Sequence, residues 1–410
     1  MLGDAIDLTR HWCLDPGISF LNHGSFGACP IPVLEHQRCL RERMEAQPVQ
    51  FLARELEPLL DGARAELAAF VGADPEDLAW VANATTGVNS VLQSLALSRG
   101  DELLATDHEY NACRNALDVV AERAGASVVV APVPFPLSSA DRVVEAVLAG
   151  VTGRTRLALL DHVSSQTGLV LPIRQLVQEL DRRGVDTLVD GAHAPGMLEL
   201  DLDELGAAYF TGNCHKWLCA PKGAAFLHVR RDRRERVRPL IISHGANSPR
   251  RDRSRFHLEF DWVGTADPTA ALCVPEAIRF MGSLLPGGWP ELRRHNHRLA
   301  LHARDELCRA LGAAQPCPDE MIGSMAALPL PPGAGEAPDS ALYTDPLQAQ
   351  LLERWGIEVP VIPWPAPPAR LIRISAQVYN RFEQYQLLAG ALKALLAEAR
   401  VKPSPRPATA

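Results

Sequence analysis

"VDTLVDGAH" (185–193) and the stretch behind it, "AAYFTGN" (207–213), decide how this chain reads. Each is a short, almost continuous apolar run that ends in polar or small residues. Runs of that length and character are strands of a sheet covered on both faces, because a strand with one wet face would alternate. The same pattern recurs in "LAWVA" (78–82), "ELLAT" (102–106), "SVVVAPV" (127–133), "TRLALLDHV" (155–163) and "GAAFLHV" (223–229), with amphipathic stretches between. The expectation is an α/β protein with a mostly parallel sheet of seven strands sandwiched by helices. Ligands of such sheets collect at the carboxyl ends of the strands. The polar stretches "NATTG" (83–87), "DHVSSQTG" (161–168), "DGAHAPG" (190–196) and "TGNCHKW" (211–217) all fall there.

The pattern changes after "FDWVGTADPTAAL" (260–272). A helical run, "WPELRRHNHRLALHARDELCRALG" (289–312), precedes a Pro/Gly-rich connector near 327–340 and a final helix, "NRFEQYQLLAGALKALLAEA" (380–399). The organisation expected is a large domain over 56–288 and a smaller α+β domain over 289–398, which an N-terminal segment, 1–55, joins. A disordered tail, 399–410, completes it.

Composition narrows the function. The 410 residues are 47% hydrophobic and 22% charged, with net charge -8, which favours neither nucleic acid nor an anionic membrane. The arginine cluster "SPRRDRSRFHLEF" (248–260) interleaves both signs and reads as a loop near a subunit interface. No run of about eighteen apolar residues is present to span a bilayer. Nine cysteines, with no CxxC, point to reduced thiols. Together with an acidic start that lacks a signal-peptide pattern, they give a cytoplasmic location as the expectation. The thirteen histidines form no HExxH, so no metal is expected.

"TGNCHKWLCAPKG" (211–223) holds two of the four lysines in a chain with 37 arginines. Arginine replaces lysine as a surface charge but not as an amine nucleophile. A lysine just past a strand can form a Schiff base with an aldehyde cofactor, and pyridoxal phosphate has the most predictable neighbours. It needs a carboxylate at its ring nitrogen, a hydrogen bonder at its phenolic oxygen and a phosphate cradle. Asp190, at the end of a strand 26 residues before Lys216, can supply the first. Thr85 and Thr86, opening a helix, can supply part of the last.

Together with "FLNHGSFGACP" (20–30), "DHVSSQTG", "VDGAHAPG", "GNCHKWLCAPKG" and "RISAQVYN" (373–380), these motifs resemble the class V, fold-type I enzymes that use pyridoxal phosphate. The closest branch is the isopenicillin-N-epimerase-like one. The resemblance implies Lys216 as the Schiff-base lysine and Asp190 as the ring-nitrogen partner. It places His193 where relatives carry a glutamine that contacts the phenolic oxygen, and Ser165 where they carry an asparagine. Tyr110 takes the place of a stacking histidine, with His108 as its competitor. Thr86, Asn213 and His215 match the phosphate cradle, and Thr265 a threonine that reaches the neighbouring subunit's phosphate. A homodimer with shared active sites follows. Arg373 matches the arginine that grips a substrate α-carboxylate, and Asn22 and His23 lie where the N-terminal segment approaches substrate.

The reaction class implied is abstraction of the α-proton of an amino acid. Epimerisation of an amino acid with a bulky side chain stands first, with Tyr110, His108, His23 or Cys29 as the second acid/base. A β-eliminating C–S lyase is the alternative, and an aminotransferase or a non-catalytic binding module stands behind both. Cysteine desulfurases of the family carry a nucleophilic cysteine shortly before the carboxylate arginine. Here that interval, "ERWGIEVPVIPWPAPPARLI" (353–372), has none. The proline-rich "VPVIPWPAPP" (359–368) is a candidate wall for a roomy pocket and equally a surface loop.

Overall fold

The computed structural model describes residues 8–333 and 345–401. Seven strands form the central sheet: β2 (Leu78–Val81), β3 (Glu102–Thr106), β4 (Ser127–Ala131), β5 (Thr155–Asp161), β6 (Asp186–Asp190), β7 (Tyr209–Asn213) and β8 (Ala225–Val229), after a short β1 (Ser19–Phe20) outside it. Their order is β2-β8-β7-β6-β5-β3-β4, and β8 alone runs against its neighbours. This is the seven-stranded, mostly parallel sheet expected from the apolar runs. The pleat explains why those runs are continuous. Leu157 and Leu159 of β5 enter the apolar layer on one face, whereas Ala158 and Leu160 enter the layer on the other. Every residue of β7 and β8 is buried.

The parallel strands point their carboxyl ends to one edge. Helix Ala84–Ser94 starts there directly after β2, with Asn83 as its cap: the Asn83 Oδ1 accepts from Thr86 N at 2.8 Å. Gly87 lets this helix lie on β7, since a Cβ there would meet Thr211 Oγ1 at 2.2 Å.

The C-terminal part builds an antiparallel sheet of β9 (Met325–Leu330), β11 (Val361–Pro363) and β12 (Arg370–Ser375), in order β11-β12-β9, packed by helices Gly288–Leu311 and Phe382–Val401. The stretch near 327–340 expected to be a connector is therefore strand up to Leu330, and residues 334–340 lie outside the described residues. Pro329 fits because β9 is an edge strand, where a missing N–H costs no ladder bond. The N-terminal β1 pairs in parallel with β10 (Ile357–Glu358), with Ser19 opposite Ile357. Most of the expected tail lies outside the described residues, and helix Phe382–Val401 covers its beginning.

Three of the four "SPRRDRSRFHLEF" arginines are paired within the chain. Arg253 pairs with Asp61 and Asp261, Arg250 with Glu57 and Asp252, and Arg255 with Glu259. Among the described residues no helix is long and apolar enough to cross a membrane.

Gly27 carries the N-terminal segment past the lysine loop with φ at 69°, and a Cβ on it would meet His215 O at 2.1 Å. Gly27→Ala is expected to destabilise the protein by about 1–3 kcal/mol through backbone strain and this clash. Gly62, in the middle of helix Leu56–Val71, has open space where a Cβ would stand. Gly62→Ala should stabilise by about 0.5–1 kcal/mol. Urea unfolding of the two variants, which should move in opposite directions, checks both.

Candidate active site

A cavity of about 250 Å³ opens at the carboxyl ends of the parallel strands. Asp161, Asp190 and Asn213 line it from the ends of β5, β6 and β7, Lys216 and His215 from the loop after β7, and Thr85 from the start of helix Ala84–Ser94. Tyr110, Ser165 and His193 complete the set expected from sequence on this wall.

The loop after β7 is short enough to bring Lys216 back over β6. Its Nζ lies 3.1 Å from His193 Nε2, while Trp217 Nε1–H donates to His193 Nδ1 at 3.3 Å. Indole N–H is a donor only. A neutral His193 that accepts at Nδ1 carries its proton on Nε2, which then donates to a lone pair on Lys216. That contact favours the free-amine form of Lys216. Burial agrees: with Arg373 nearby it lowers the Lys216 amine to about 8, against the attraction of Asp190. Burial likewise lowers His193 well below its ordinary range, reinforced by Lys216, so the ring is neutral.

Asp190 receives two donors, Ala192 N–H at 2.9 Å on Oδ1 and the Cys113 thiol at 3.2 Å on Oδ2. Asn213 Oδ1 accepts from Ala84 N–H at 2.8 Å, which fixes the strand end against the helix start and leaves its amide NH2 to donate. His215 donates from Nδ1 to Ala224 O at 3.2 Å. Its pKa is lowered to about 4 by burial and by Lys216.

Arg373, on β12, is buried behind this wall. Its guanidinium donates to Ser165 O, to Ser25 Oγ at 3.0 Å and to Asn22 Oδ1 at 3.4 Å, and no carboxylate of the described residues pairs with it. Burial lowers it to about 10. A buried guanidinium held only by neutral oxygens is an uncompensated charge that favours an incoming carboxylate.

Other expected residues lie elsewhere. Asn22 and His23 stand behind the wall. Asn22 bridges Arg373 and Glu358, and His23 donates from Nε2 to Lys216 O at 3.0 Å while accepting from Tyr379 O–H at 2.7 Å. Ser25 and Phe26 of the same "NHGSFG" motif are the residues that reach the cavity. Thr86 turns its hydroxyl to Asn83, 3.0 Å away, while Asn83 itself lines the cavity. His108 is fully buried, bonded to Thr167 Oγ1 and Val133 O and stacked edge-on against Trp364, whereas Tyr110 stands on the cavity wall. Trp364 is thus the contact that "VPVIPWPAPP" makes with this region, through His108. Thr265 is exposed on a loop outside the cavity, and Lys222 donates to Gly27 O at 3.0 Å.

Sequence reasoning passed over Asn83, Asp161 and Glu109. Asp161 had a visible signal, since "LLD" (159–161) ends its strand as "LVD" (188–190) does. Asn83 had one in helix-capping chemistry. Glu109 had none, because only the turn before helix Asn111–Ala124 brings it to Asp190.

A lysine amine, a buried carboxylate and a helix start converge on one cavity at the carboxyl ends of the parallel strands, and solved structures share the fold. The chain aligns with a cysteine desulfurase from Thermococcus onnurineus NA1 at TM-score 0.77 and 19% identity, covering 96% of this chain and 98% of that one. It aligns with the cystine C–S lyase C-DES, in complex with cysteine persulfide, at TM-score 0.74 and 22% identity, over 92% and 97%. A profile of the aminotransferase class-V family matches residues 30–323, and the chain belongs to that family. It is a pyridoxal-phosphate enzyme. It is 41% identical to an isopenicillin N epimerase of Amycolatopsis lactamdurans over 398 residues, covering 93% of this chain and 96% of that one. It is also 33% identical to a probable chloroplastic L-cysteine desulfhydrase of Arabidopsis thaliana, covering 94% and 84%.

Reductive methylation of Lys216 in cofactor-stripped protein should follow its free-amine fraction, with a midpoint near pH 8. In His193→Ala that midpoint should rise, because the Nε2–H donor is gone and water gains access, but Arg373 should keep it below the ordinary lysine value of about 10.4. A midpoint near 10 in the parent would show that the amine is not held neutral.

Proposed function

We propose that the protein binds an α-amino acid and removes its α-proton, epimerising a substrate with a bulky side chain. The carrying observation is the unpaired, buried guanidinium of Arg373 beside the free amine of Lys216. Pyridoxal phosphate, when bound, supplies the electron sink that acidifies the α-carbon proton. The residues on the wall fit that group. Asp190 would face the ring nitrogen. Thr85, Thr86, Asn213, His215 and the start of helix Ala84–Ser94 would hold the phosphate, and His193 and Ser165 the phenolic oxygen.

The work of the chain is positioning and proton transfer. Arg373 holds the substrate carboxylate by its planar fork, which orients the α-carbon. Lys216, its amine lowered to about 8, has an accessible neutral form that takes the α-proton as the general base. Epimerisation needs a proton donor on the opposite side, and Tyr110 is the phenol on the cavity wall. Its pKa is raised by burial, so it is protonated and able to donate. The relatives at 41% and 38% identity named isopenicillin N epimerase support this reading.

β-Elimination from a cysteine S-conjugate or cysteine is the second reading. The desulfhydrases among the relatives favour it, and elimination requires no opposite-face donor. Persulfide chemistry is disfavoured, as no cysteine lines the cavity and Cys317 is buried with its thiol pushed up to about 12.

A homodimer with shared sites is part of the proposal. Leu240, Ile241 and Ile242 are 46%, 59% and 55% exposed, an apolar run that a second copy would cover, and exposed Thr265 is free to reach across. Sedimentation should give a dimer, and Thr265→Ala should weaken cofactor retention without dissociating it.

Incubation in deuterated water with candidate amino acids separates the reactions. Inversion with deuterium at Cα and no pyruvate supports the epimerase; pyruvate and ammonia without inversion overturn it in favour of the lyase. Lys216→Ala should lower turnover by about 10³-fold or more. Arg373→Lys should raise KM about tenfold or more, since a point charge replaces a bidentate fork.

A further inference from the structure

At the cavity floor three carboxyl groups share one buried volume. Asp161 and Asp190 are register partners at the ends of adjacent parallel strands, so their side chains leave the sheet on the same side. Polar side-chain atoms of Glu109, Cys113 and Asp190 all lie within 4.8 Å of one another. All three acids are at least 95% buried, with exposures of 5% for Glu109, 2% for Asp161 and 3% for Asp190. Three ionised carboxylates in such a space would repel strongly, and Lys216 is the one lysine on the wall to offset them.

The donors are unevenly shared. Asp190 has two on its carboxylate, the Ala192 N–H and the Cys113 thiol. Glu109 Oε2 and Asp161 Oδ2 are buried without any hydrogen-bond partner. Donors stabilise an anion, and a buried oxygen without one disfavours it.

We propose that Glu109 and Asp161 are held as neutral carboxylic acids and that Asp190 alone carries the negative charge of the cluster. The charged neighbours agree with this distribution. Burial pushes Glu109 well up, and Asp190 raises it further, against the Tyr110 N–H that its Oε1 accepts at 3.2 Å and a weaker pull from Arg114. Burial does the same to Asp161, with Glu109 and Asp190 adding to it and Lys216 opposing. Asp190 is raised too, by burial, but its donors and Lys216 counter the shift. The thiol of Cys113 is pushed up by burial and by Asp190 and keeps its proton.

Glu109 and Asp161 are then positioning residues. They confine the charge of the floor to Asp190, the carboxylate aimed at the cavity. This consequence rests on the proposed role of Asp190, whereas the proton assignment itself does not. The sign for stability follows from linkage: acids raised in the folded state bind more protons there than in the unfolded chain. They stabilise fully below the ordinary carboxyl range, and that stability declines as pH rises toward their folded values.

Infrared difference spectroscopy of the cofactor-loaded protein at pH 8 reads the assignment directly, because a protonated carboxyl has a carbonyl stretch that a carboxylate lacks. The parent should show that band, Glu109→Gln and Asp161→Asn should each remove part of it, and Asp190→Asn should leave it. No band in the parent, or a band lost only in Asp190→Asn, overturns the proposal, and the parent spectrum decides even if a variant fails to fold. Thermal unfolding gives a second measure. The amide variants should flatten the fall in Tm as pH rises above the ordinary carboxyl range, gaining about 1–2 °C at the alkaline end for each tenfold shift of the folding equilibrium. An unchanged slope counts against it. Neither measurement depends on whether the enzyme epimerises or eliminates, so failure of the reaction reading is seen separately in the product assays.

Discussion

The contact between His193 and the Lys216 amine is the interaction that the rest of the site is arranged around. A buried lysine would ordinarily be an ammonium demanding a counter-ion, and as such it is a poor nucleophile and no base. Here the ring is oriented by Trp217 so that the proton it carries points at the lysine nitrogen. Trp217 follows Lys216 directly in the chain, so the turn that delivers the amine also sets the tautomer of its partner. A glutamine at this position, as in other members of the family, could make similar contacts but would not be held to one orientation in the same way.

The N-terminal segment holds this turn from the far side. His23 grips the carbonyl of Lys216, Gly27 passes within contact of His215 O, and Lys222 returns a donor to Gly27 O. The same segment ends its own strand beside β10 and offers Asn22 and Ser25 to Arg373. The lysine turn from the large sheet and the arginine from the small one are therefore held through one short stretch of chain. That coupling gives the distance between amine and carboxylate receptor its definition, which a reaction at a single carbon requires.

Charge is distributed by burial in the same region. The cations of the site, Lys216 and Arg373, are both depressed, and the acids on the floor are raised. Such opposed shifts are characteristic of sites that move protons near neutral pH. The salt bridges of the arginine-rich surface shift the opposite way: pairing with Asp252 and Glu57 raises Arg250, and pairing with Arg250 lowers Asp252 to about 2, so both partners stay charged. The surface arginines are chemically quiet for that reason, and the contrast with the lysine turn is one of environment rather than of charge.

The sheet was legible in the sequence because parallel strands buried on both faces must be apolar at every position, and the loops at their carboxyl ends must not be. Lys216, Asp190 and Arg373 were legible because each carries chemistry that few residue types can perform and lies in a distinctive motif. Local patterns misled where a strand contained proline at an edge, as in β9, and where two neighbours in sequence point opposite ways, as Ser25 and His23 do. Period and propensity are properties of a few consecutive residues. The choice of Tyr110 over His108 for the wall, the lack of a carboxylate partner for Arg373 among the described residues, and the meeting of Glu109, Asp161 and Asp190 join residues far apart in the chain. Their proton states follow from which donors and charges surround them in three dimensions, so only the tertiary structure could decide them.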